Sequence, residues 1–291
     1  MKRLIGTAVR CDRFFALVLP FSLMLVATSS PAISAGCAFE SQGEGRVAEI
    51  IDARSFRLED GREIRLAGIE PVFSEKVSSE KVSSEKVPSE RALSEKGLAE
   101  KSNRTAALSA ILRGREVTLS GEDDTPDRYG RQTAFVFLAS SDTPIQALLL
   151  AQGEALVAGT VTDKDCASVL AAAETAAREG KKGTWADPFA IKNAESPGDI
   201  LAGIGRFTVV EGKVLSVRQA GATTYLNFGR NWTRGFAVII SRRIIPAFEA
   251  AGIVPKSLEN RKIRVRGWVE ARQGPRIEML RVGQVELLGG N

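Results

Sequence analysis

The stretch VAEIIDARSFRLEDGREIRLAGIEP, residues 47–71, alternates apolar and polar residues over three short runs. Runs of this length and pattern are typical of β-strands with one buried face. The last two runs are joined by Asp60-Gly61, a dipeptide that favours a tight hairpin turn. The pattern therefore predicts strands at 45–52, 55–60 and 62–69.

The rest of the first half of the chain mixes strands with helices. One helix is predicted at 102–114, and an alanine-rich amphipathic helix is predicted at 163–183. Pro144 near the start and Gly153 at the end favour a short helix between them. Further strands are predicted at 115–121, 133–139 and 154–160. These elements place residues 36–190 in one mainly β domain of the α+β class.

Four segments of this domain resemble the thermonuclease (staphylococcal-nuclease-like) family in their order and spacing. They are VAEIIDARSFRLEDGREIRLAGIEP (47–71), DRYGRQTAFVFL (127–138), IQALLLAQGEALV (145–157) and AREGKKGTW (177–185). The resemblance implies an OB-type β-barrel with three helices. For active members of the family it also implies calcium-dependent hydrolysis of DNA and RNA phosphodiesters, so calcium is the cofactor that it implies.

The resemblance assigns phosphate binding to two arginines. Arg65 lies on the strand after the first hairpin turn, and Arg131 lies in the turn DRYGR. Two guanidinium forks suit the charge that develops on a phosphate during hydrolysis. Arg128 and Tyr129 lie in the same turn, and they are candidates for contact with nucleic acid.

The resemblance places one calcium ligand at position 54, where this chain has Arg54, and another at Glu70. Calcium prefers an anionic shell of oxygen atoms, so an arginine at that position opposes metal binding. Asp52 and Glu70 are the metal-ligand candidates that remain, and Glu70 is also a candidate catalytic residue. The alternative for Arg65 is an ion pair with Glu70 or Glu63 across the sheet.

The general base of the family is a glutamate directly after an Asp-Thr-Pro tripeptide. The corresponding position here is Val72 or Phe73, and neither side chain accepts a proton. Loss of a general base typically costs about 10²- to 10⁴-fold in rate. The first carboxylate that follows is Glu75. Gly159 and Val161 stand where family members present tyrosines to the nucleotide.

A five-residue repeat occupies residues 72–101 and reads VFSEK, VSSEK, VSSEK, VPSER, ALSEK, GLAEK. A five-residue step turns a helix by about 500°, so successive valines share no face. Low hydrophobicity and alternating charge predict a surface loop. The repeat starts where an active relative would hold its catalytic glutamate, which argues against accurate positioning of a base.

The first 35 residues have the pattern of a secretory signal peptide, with basic residues, an apolar run and small residues at the cut. Cleavage after Ala35 or Ala32 predicts a periplasmic or secreted protein, and no later segment is long enough to cross a membrane. In an oxidising compartment, Cys37 and Cys166 are expected to form a disulfide. The alternatives are two separate buried thiols, or a lipid anchor on Cys37.

The last part of the chain differs from the first in charge. Residues 201–291 contain 15 basic and 6 acidic residues, a net charge of +9, whereas residues 36–200 have a net charge of −7. A linker is predicted at 191–204. Five predicted strands in 205–289, with one short helix after the third, are the pattern of a second small OB-like β-barrel. The basic charge predicts contact with a polyanion.

Arginines and aromatic residues are interleaved in this second domain, as they are on surfaces that bind single-stranded nucleic acid. The candidate residues are Tyr225, Arg230, Trp232, Arg234, Arg266 and Trp268. The alternative is that about half of the aromatic side chains face the core of the barrel. A basic barrel also suits an acidic partner protein or anionic lipid headgroups.

The sequence thus predicts an exported, thermonuclease-like protein that binds nucleic acid or another phosphate-rich polyanion. Its calcium-dependent phosphodiester cleavage is predicted to be weak or lost. One alternative is an active nuclease that uses Glu75 or Glu70 as its base, and another is an envelope module for protein contacts. The sequence contains no histidine, which excludes histidine-based hydrolysis and histidine metal sites.

Overall fold

A computed structural model describes residues 36–72, 105–123, 125–139, 141–231 and 233–289. The signal-peptide segment, Glu75, Trp232 and all but the first residue of the repeat lie outside these ranges. The strands are β1 (Glu40–Asp52), β2 (Ser55–Leu58), β3 (Glu63–Leu66), β4 (Ile69–Pro71), β5 (Glu116–Gly121), β6 (Arg131–Leu138), β7 (Ala155–Val157), β8 (Ile191–Asn193), β9 (Phe207–Lys213), β10 (Ser216–Ala220), β11 (Thr223–Asn227), β12 (Ala237–Ser241), β13 (Lys262–Arg272), β14 (Gly274–Met279) and β15 (Val285–Leu288). The α-helices are α1 (105–112), α2 (Ile145–Gln152), α3 (Lys164–Glu179), α4 (Pro197–Leu201) and α5 (Ile245–Ala250).

The first barrel is a closed ring of five strands in the order β1-β2-β3-β6-β5. The turn between β2 and β3 has Gly61 at a φ of +90°, a conformation that glycine adopts without strain. In β3, Ile64 and Leu66 are buried while Glu63 and Arg65 face outward, as a period of two requires. β3 and β6 are parallel and the other pairs are antiparallel. The predicted hairpin and the predicted OB-type barrel are confirmed.

Three helices pack against this barrel, in agreement with the prediction. The helix α2 starts after Pro144 and ends at Gly153, whose φ is +73°. Asp163 caps α3 by accepting a hydrogen bond from the Cys166 backbone N–H at 2.7 Å. In α1, Leu112 is fully buried in the core of the barrel. The α3 helix ends at Glu179, before the predicted end at 183, and a 3₁₀ turn begins at Gly183.

A disulfide joins Cys37 to Cys166, which confirms the predicted bond. Both cysteines are buried, Cys37 just before β1 and Cys166 in the first turn of α3. The bond ties the start of the barrel to a helix 129 residues later. A sulfur atom held in a disulfide cannot carry a thioether-linked lipid, so the alternative of a lipid anchor on Cys37 is wrong for this structure.

The second barrel repeats the strand order of the first. The strands β9 and β10 are two halves of one bent strand, because Val214 N–H bonds to the Arg261 carbonyl (2.9 Å) and Leu215 N–H to the Asn227 carbonyl (2.8 Å). The pairings then run β10-β11-β12-β14-β13 and return to β9. Within this ring, β12 and β14 are parallel, as β3 and β6 are in the first barrel. The α+β fold class with OB-like barrels is therefore confirmed.

The two barrels share a buried contact. An apolar cluster between them contains Leu156, Ala177 and Trp185 from the first barrel and Phe207 and Val209 from β9. The backbones of the two barrels also meet closely. A Cβ atom at Gly159 would lie 2.5 Å from the Gly283 carbonyl oxygen, so a larger residue does not fit there.

Two sequence predictions differ from the structure of the second half. The segment 191–204, predicted as a linker, contains β8 and α4, and β8 pairs in parallel with β9. Of the five strands predicted in 205–289, the last was expected to span 275–288 without a break. That stretch instead contains most of β14, a 3₁₀ turn at Val282–Gln284 and β15, which pairs with the far end of β13. In the described ranges, no helix has the length and apolar character needed to cross a membrane.

Candidate functional site

Arg65 and Arg131 lie on the outer face of the first barrel, where β3 and β6 run side by side. In the register of this pair, Glu63 is opposite Arg131 and Arg65 is opposite Thr133. The two arginines are therefore diagonal neighbours on one face, and standard strand spacings put their Cα atoms about 8 Å apart. The fold thus brings together the two arginines that the sequence resemblance assigned to phosphate binding.

The carboxylates expected as alternative partners of Arg65 are bound to other arginines. Glu63 pairs with Arg57 at 2.6 Å, and Glu70 pairs with Arg54. Among the described residues, neither carboxylate is paired with Arg65. Arg65 is half-buried, and its positive charge is consequently not neutralised by either of these two acids.

Arg131 is held by a carboxylate from its own turn. Its Nε and Nη2 atoms donate to Asp127 Oδ2 at 3.0 and 2.8 Å. The other oxygen, Oδ1, accepts from the backbone N–H groups of Tyr129 (2.9 Å) and Arg131 (3.1 Å). These bonds keep the pKa of Asp127 below its ordinary value, chiefly through the Arg131 side chain, and raise the pKa of Arg131. The turn fixes the guanidinium, and any phosphate must compete with Asp127 for it.

Tyr129 forms an exposed aromatic plate beside Arg131. Its ring is 65% exposed, with the guanidinium of Arg128 at 4.7 Å and that of Arg131 at 5.0 Å from the ring centroid. Arg128 Nη2 also donates to the Tyr129 hydroxyl at 2.7 Å. An exposed ring flanked by two cations is a surface on which a nucleobase can stack next to a phosphate.

Arg54 points inward and forms an ion pair with Glu70. Both side chains are nearly buried, with 13% and 12% of their surface exposed. The Arg54 backbone N–H donates to Asp52 Oδ1 at 2.8 Å, which orders the turn between β1 and β2. Burial raises the pKa of the Glu70 carboxyl, and Asp52 acts in the same direction while Arg54 opposes both. Arg54 therefore supplies the positive charge that faces Glu70.

The residues at this position do not fit a calcium ion. Calcium requires several oxygen ligands with net negative charge, and here a guanidinium contacts the one nearly buried carboxylate. Across the described ranges, no group of three or more acidic, histidine or cysteine residues is arranged to hold a metal. The family's calcium chemistry therefore has no matching ligand set in the described part of this site.

The position expected for the general base is apolar and packed. Val72 is half-buried and contacts the cluster between the barrels that contains Leu156, Trp185 and Phe207. A side chain in this contact has no proton to exchange and little freedom to approach solvent. The alternative alignment at Phe73 and the substitute base Glu75 lie outside the described residues.

The predicted nucleic-acid-binding residues of the second barrel fall into different environments. Tyr225 is half-buried on β11, and Arg230 and Arg234 are exposed in the loop between β11 and β12. The neighbouring rings Phe228 and Phe236 are core residues, exposed by only 2% and 1%. The alternative that some of the aromatic residues face inward is thus correct for these two.

Arg266 is not available to nucleic acid, and its assignment as a binding residue is wrong. Its Nη1 atom donates to Glu174 Oε2 at 2.8 Å and to the Val157 carbonyl at 3.0 Å, and its side chain is 7% exposed. Glu174 belongs to α3 of the first barrel, so this ion pair joins the two barrels. Trp268 is 40% exposed, and its ring meets Phe207 edge-on at the rim of the inter-barrel cluster.

Sequence reasoning missed Arg218, whereas Arg272 and Arg276 lie in the arginine-rich stretch 261–276 that it counted toward nucleic-acid binding. These three arginines line an open cleft on the second barrel together with Tyr225. Arg218 lies opposite Tyr225 in the β10–β11 pair, so the period-two pattern of both strands contained the signal. The bend between β9 and β10 hid this signal. Residues 206–219 were read as one strand, but the bend at Val214 and Leu215 shifts the alternation of inward and outward side chains.

Residues 64–187 match the protein family described as staphylococcal nuclease homologue. The match covers β3 to β7 and all three helices of the first barrel, including Arg65, Glu70 and Arg131. Curated proteins give no match to the chain. The first barrel is therefore similar to the nuclease homologues over this region, and the second barrel lies beyond the match.

Proposed function

We propose that the protein is an exported binder of nucleic acid or another phosphate-rich polyanion. The proposal starts from the first barrel, whose residues 64–187 match the staphylococcal nuclease homologues. Arg65 and Arg131 bind phosphate, and the basic second barrel adds affinity. Calcium-dependent cleavage of phosphodiesters is weak or lost.

The observation that carries the proposal is the pairing of Arg65 with Arg131 on one outer face. Standard strand spacings put the Cα atoms of the two arginines about 8 Å apart. Both side chains are long enough to reach a single phosphate from that distance. Tyr129 lies beside Arg131 with an exposed ring. Two cations and one ring recognise a nucleotide by its phosphate and its base, without a metal.

The loss of cleavage follows from what surrounds this arginine pair. Arg54 takes the place of a calcium ligand and neutralises Glu70. The position of the general base is taken by Val72, which packs between the barrels. A site without metal ligands and without a base still binds a phosphate diester, but it has no group to activate water.

A second candidate function, an active nuclease, is favoured by one observation. Burial raises the pKa of Glu70 above its ordinary value, and a carboxyl with a raised pKa is better suited to take part in proton transfer. Against this, the carboxylate is ion-paired with Arg54 and has little exposure to solvent water.

Export is supported by the signal-peptide pattern of residues 1–35 and by the Cys37–Cys166 disulfide, which is typical of an oxidising compartment. Periplasmic and secreted locations are both compatible with these features. The proposal of two modules, 36–190 and 205–289, joined through 191–204, agrees with the two rings of strands.

Fluorescence anisotropy with labelled single-stranded and duplex DNA tests the binding function. We expect the variant Arg65→Gln/Arg131→Gln to bind the DNA about ten-fold or more weakly than the wild type does. The slope of log affinity against log salt concentration should also be shallower, by the equivalent of roughly one to two phosphate contacts. The control is Arg115→Gln, which changes an exposed arginine directly before β5. Unchanged DNA affinity in the double variant would show that Arg65 and Arg131 do not bind the phosphates.

Incubation of the same DNA with calcium or with a chelator separates the two candidate functions. Wild-type protein should leave the DNA intact under both conditions. Cleavage that requires calcium and disappears in Arg65→Gln/Arg131→Gln would show that the protein is an active nuclease. The control variant Arg115→Gln should then cleave as the wild type does.

A further inference from the structure

The outer face of the second barrel has a cleft of ≈ 650 Å³ between the sheet β10–β11–β12 and the hairpin that joins β13 to β14. The family match ends at residue 187, so nothing in that match describes this cleft. The residues that line it include six with polar or aromatic side chains: Arg218, Tyr225, Asn227, Arg272, Gln273 and Arg276.

The strand register places one aromatic ring at the floor of the cleft. Tyr225 lies opposite Arg218 on β10 and opposite Ile239 on β12. The alternate residues Leu226 and Val238 are fully buried in the core, so the strands turn their other face to the cleft. The floor is therefore a half-buried tyrosine with an arginine on one side and an apolar residue on the other.

Charge along the rim is positive. Arg218 and Arg272 are exposed, and within the described part of the chain no carboxylate pairs with either. Arg276 forms an ion pair with Glu270, to which its Nη2 atom donates a hydrogen bond at 2.7 Å. The lining contains no acidic residue, but it does contain the side-chain amides of Asn227 and Gln273. The cleft thus combines cations, amides and one ring.

Backbone contacts hold the cleft in shape. Gln273, at the tip of the hairpin, has a φ of +69°, a strained conformation for a residue other than glycine, and such strain often occurs at binding sites. A Cβ atom at Gly274 would lie 2.8 Å from the Gly235 carbonyl oxygen, so the hairpin and the β11–β12 loop touch backbone to backbone. In that loop, Asn231 Oδ1 accepts hydrogen bonds from Thr233 and Arg234. The walls are ordered before any ligand arrives.

We infer that this cleft binds single-stranded nucleic acid. One unpaired base stacks on Tyr225, its polar edge meets Asn227 and Gln273, and the flanking phosphates lie on Arg218 and Arg272. A duplex keeps its bases stacked inside and offers only phosphates to such a cleft, so it cannot reach the ring on the floor. The inference rests on the proposed polyanion-binding function and names its substrate class.

The test is anisotropy of the full chain with three probes. They are an oligothymidine of roughly 15 nucleotides, a duplex of the same length and inorganic polyphosphate. We expect Tyr225→Leu and Arg218→Gln/Arg272→Gln each to weaken oligothymidine binding about ten-fold, while Tyr225→Leu changes duplex and polyphosphate binding less than two-fold. Arg242→Gln/Arg243→Gln, which changes two exposed arginines outside the cleft, is the charge-matched control for the double variant. Circular dichroism checks that each variant is folded, and Arg218 and Arg272 are exposed enough to change without harm to the core.

The outcomes separate this inference from the proposed function. If oligothymidine binding is unchanged in both cleft variants but falls in Arg65→Gln/Arg131→Gln, the cleft inference is overturned and the proposed function stands. If it falls in the cleft variants and not in the Arg65/Arg131 variant, the cleft binds and the arginine pair of the first barrel does not. If the wild type prefers duplex or polyphosphate to oligothymidine, or binds none of the three, the single-strand inference is overturned.

Discussion

At the residue scale, a guanidinium stands where the family resemblance places a calcium ligand. Arg54 contacts Glu70 inside the barrel wall, and Asp52 accepts a hydrogen bond from the Arg54 backbone. The sequence alone left the direction of this side chain open, because an arginine at this position can point inward or extend into solvent. The low exposure of Arg54 shows that its side chain points inward. Its guanidinium is therefore a permanent positive charge at the position where calcium, an exchangeable cation, would bind.

We expect Arg54→Asp to create a calcium site from Asp52, Glu70 and the new carboxylate. Three neighbouring carboxylates repel each other, so the variant should have a lower Tm than the wild type in chelator. Added calcium should restore about 2–3 kcal/mol at a hundred-fold excess over its Kd. Thermal unfolding with and without calcium measures both effects. Arg54→Gln, which removes the cation but adds no charge, should show no calcium response, and a calcium-dependent rise in the wild-type Tm would contradict the reasoning.

The ion pair of Asp127 with Arg131 makes a prediction about pH. The pKa of Asp127 lies below its ordinary value, so the carboxylate stabilises the fold above its unfolded pKa of about 3.9 and loses that effect as the pH falls through the lower folded value. We expect NMR titration to show this low pKa in the wild type and its return toward the ordinary value in Arg131→Gln. Asp60, whose pKa is lowered by Arg62, should titrate alike in both proteins. An unshifted Asp127 in the wild type would mean that the pair is open in solution.

Among the helices and strands, the sequence predicted correctly those turns and helix ends that depend on local interactions. Asp60-Gly61 gave the β2–β3 hairpin, and Pro144 with Gly153 gave the ends of α2, because each of these residues acts on its own backbone. The strand β8 was missed, and β15 was not separated from β14, for the opposite reason. Each has three or four residues and owes its conformation to pairing with a distant strand, β9 or β13. Contacts of that kind leave little pattern in a short stretch of sequence.

The disulfide ties α3 to the segment just before β1. It closes a loop with a sequence separation of 129, for which chain entropy predicts a stabilisation of about 4–5 kcal/mol. We expect Cys37→Ala/Cys166→Ala to lower the free energy of unfolding by roughly that amount, measured by equilibrium urea denaturation. Wild-type protein unfolded in the presence of reductant should lose a similar amount. A reduced wild type with an unchanged midpoint would show that the bond adds no net stability.

At the scale of the whole molecule, the second barrel covers part of the first. Arg266 lies on the outer face of β13, where a period of two predicts exposure, and the reasoning that made it a nucleic-acid ligand was sound for an isolated barrel. The first barrel buries that face instead. Gly159, where relatives of the nuclease family are expected to present a tyrosine, is the point at which the backbone of Gly283 packs. A single barrel's sequence pattern cannot reveal a surface that a second barrel covers.

This contact predicts that the two barrels unfold together. Glu174 and Arg266 are almost fully buried, and loss of one partner leaves an unpaired charge that costs about 3–5 kcal/mol. We expect Arg266→Met to destabilise both barrels by that amount. Glu174→Gln/Arg266→Met should recover most of the loss, because it removes the unpaired charge and leaves an amide oxygen to accept from the Val157 backbone N–H, which donates to Glu174 at 2.7 Å in the wild type. Urea denaturation followed by far-UV circular dichroism and tryptophan fluorescence measures the coupling. The control is Arg276→Met, which breaks the partly exposed pair with Glu270 and should cost less than about 1 kcal/mol. Two separate transitions in the wild type, with only one of them shifted by Arg266→Met, would mean that the barrels are independent and that the buried ion pair does not join their folding.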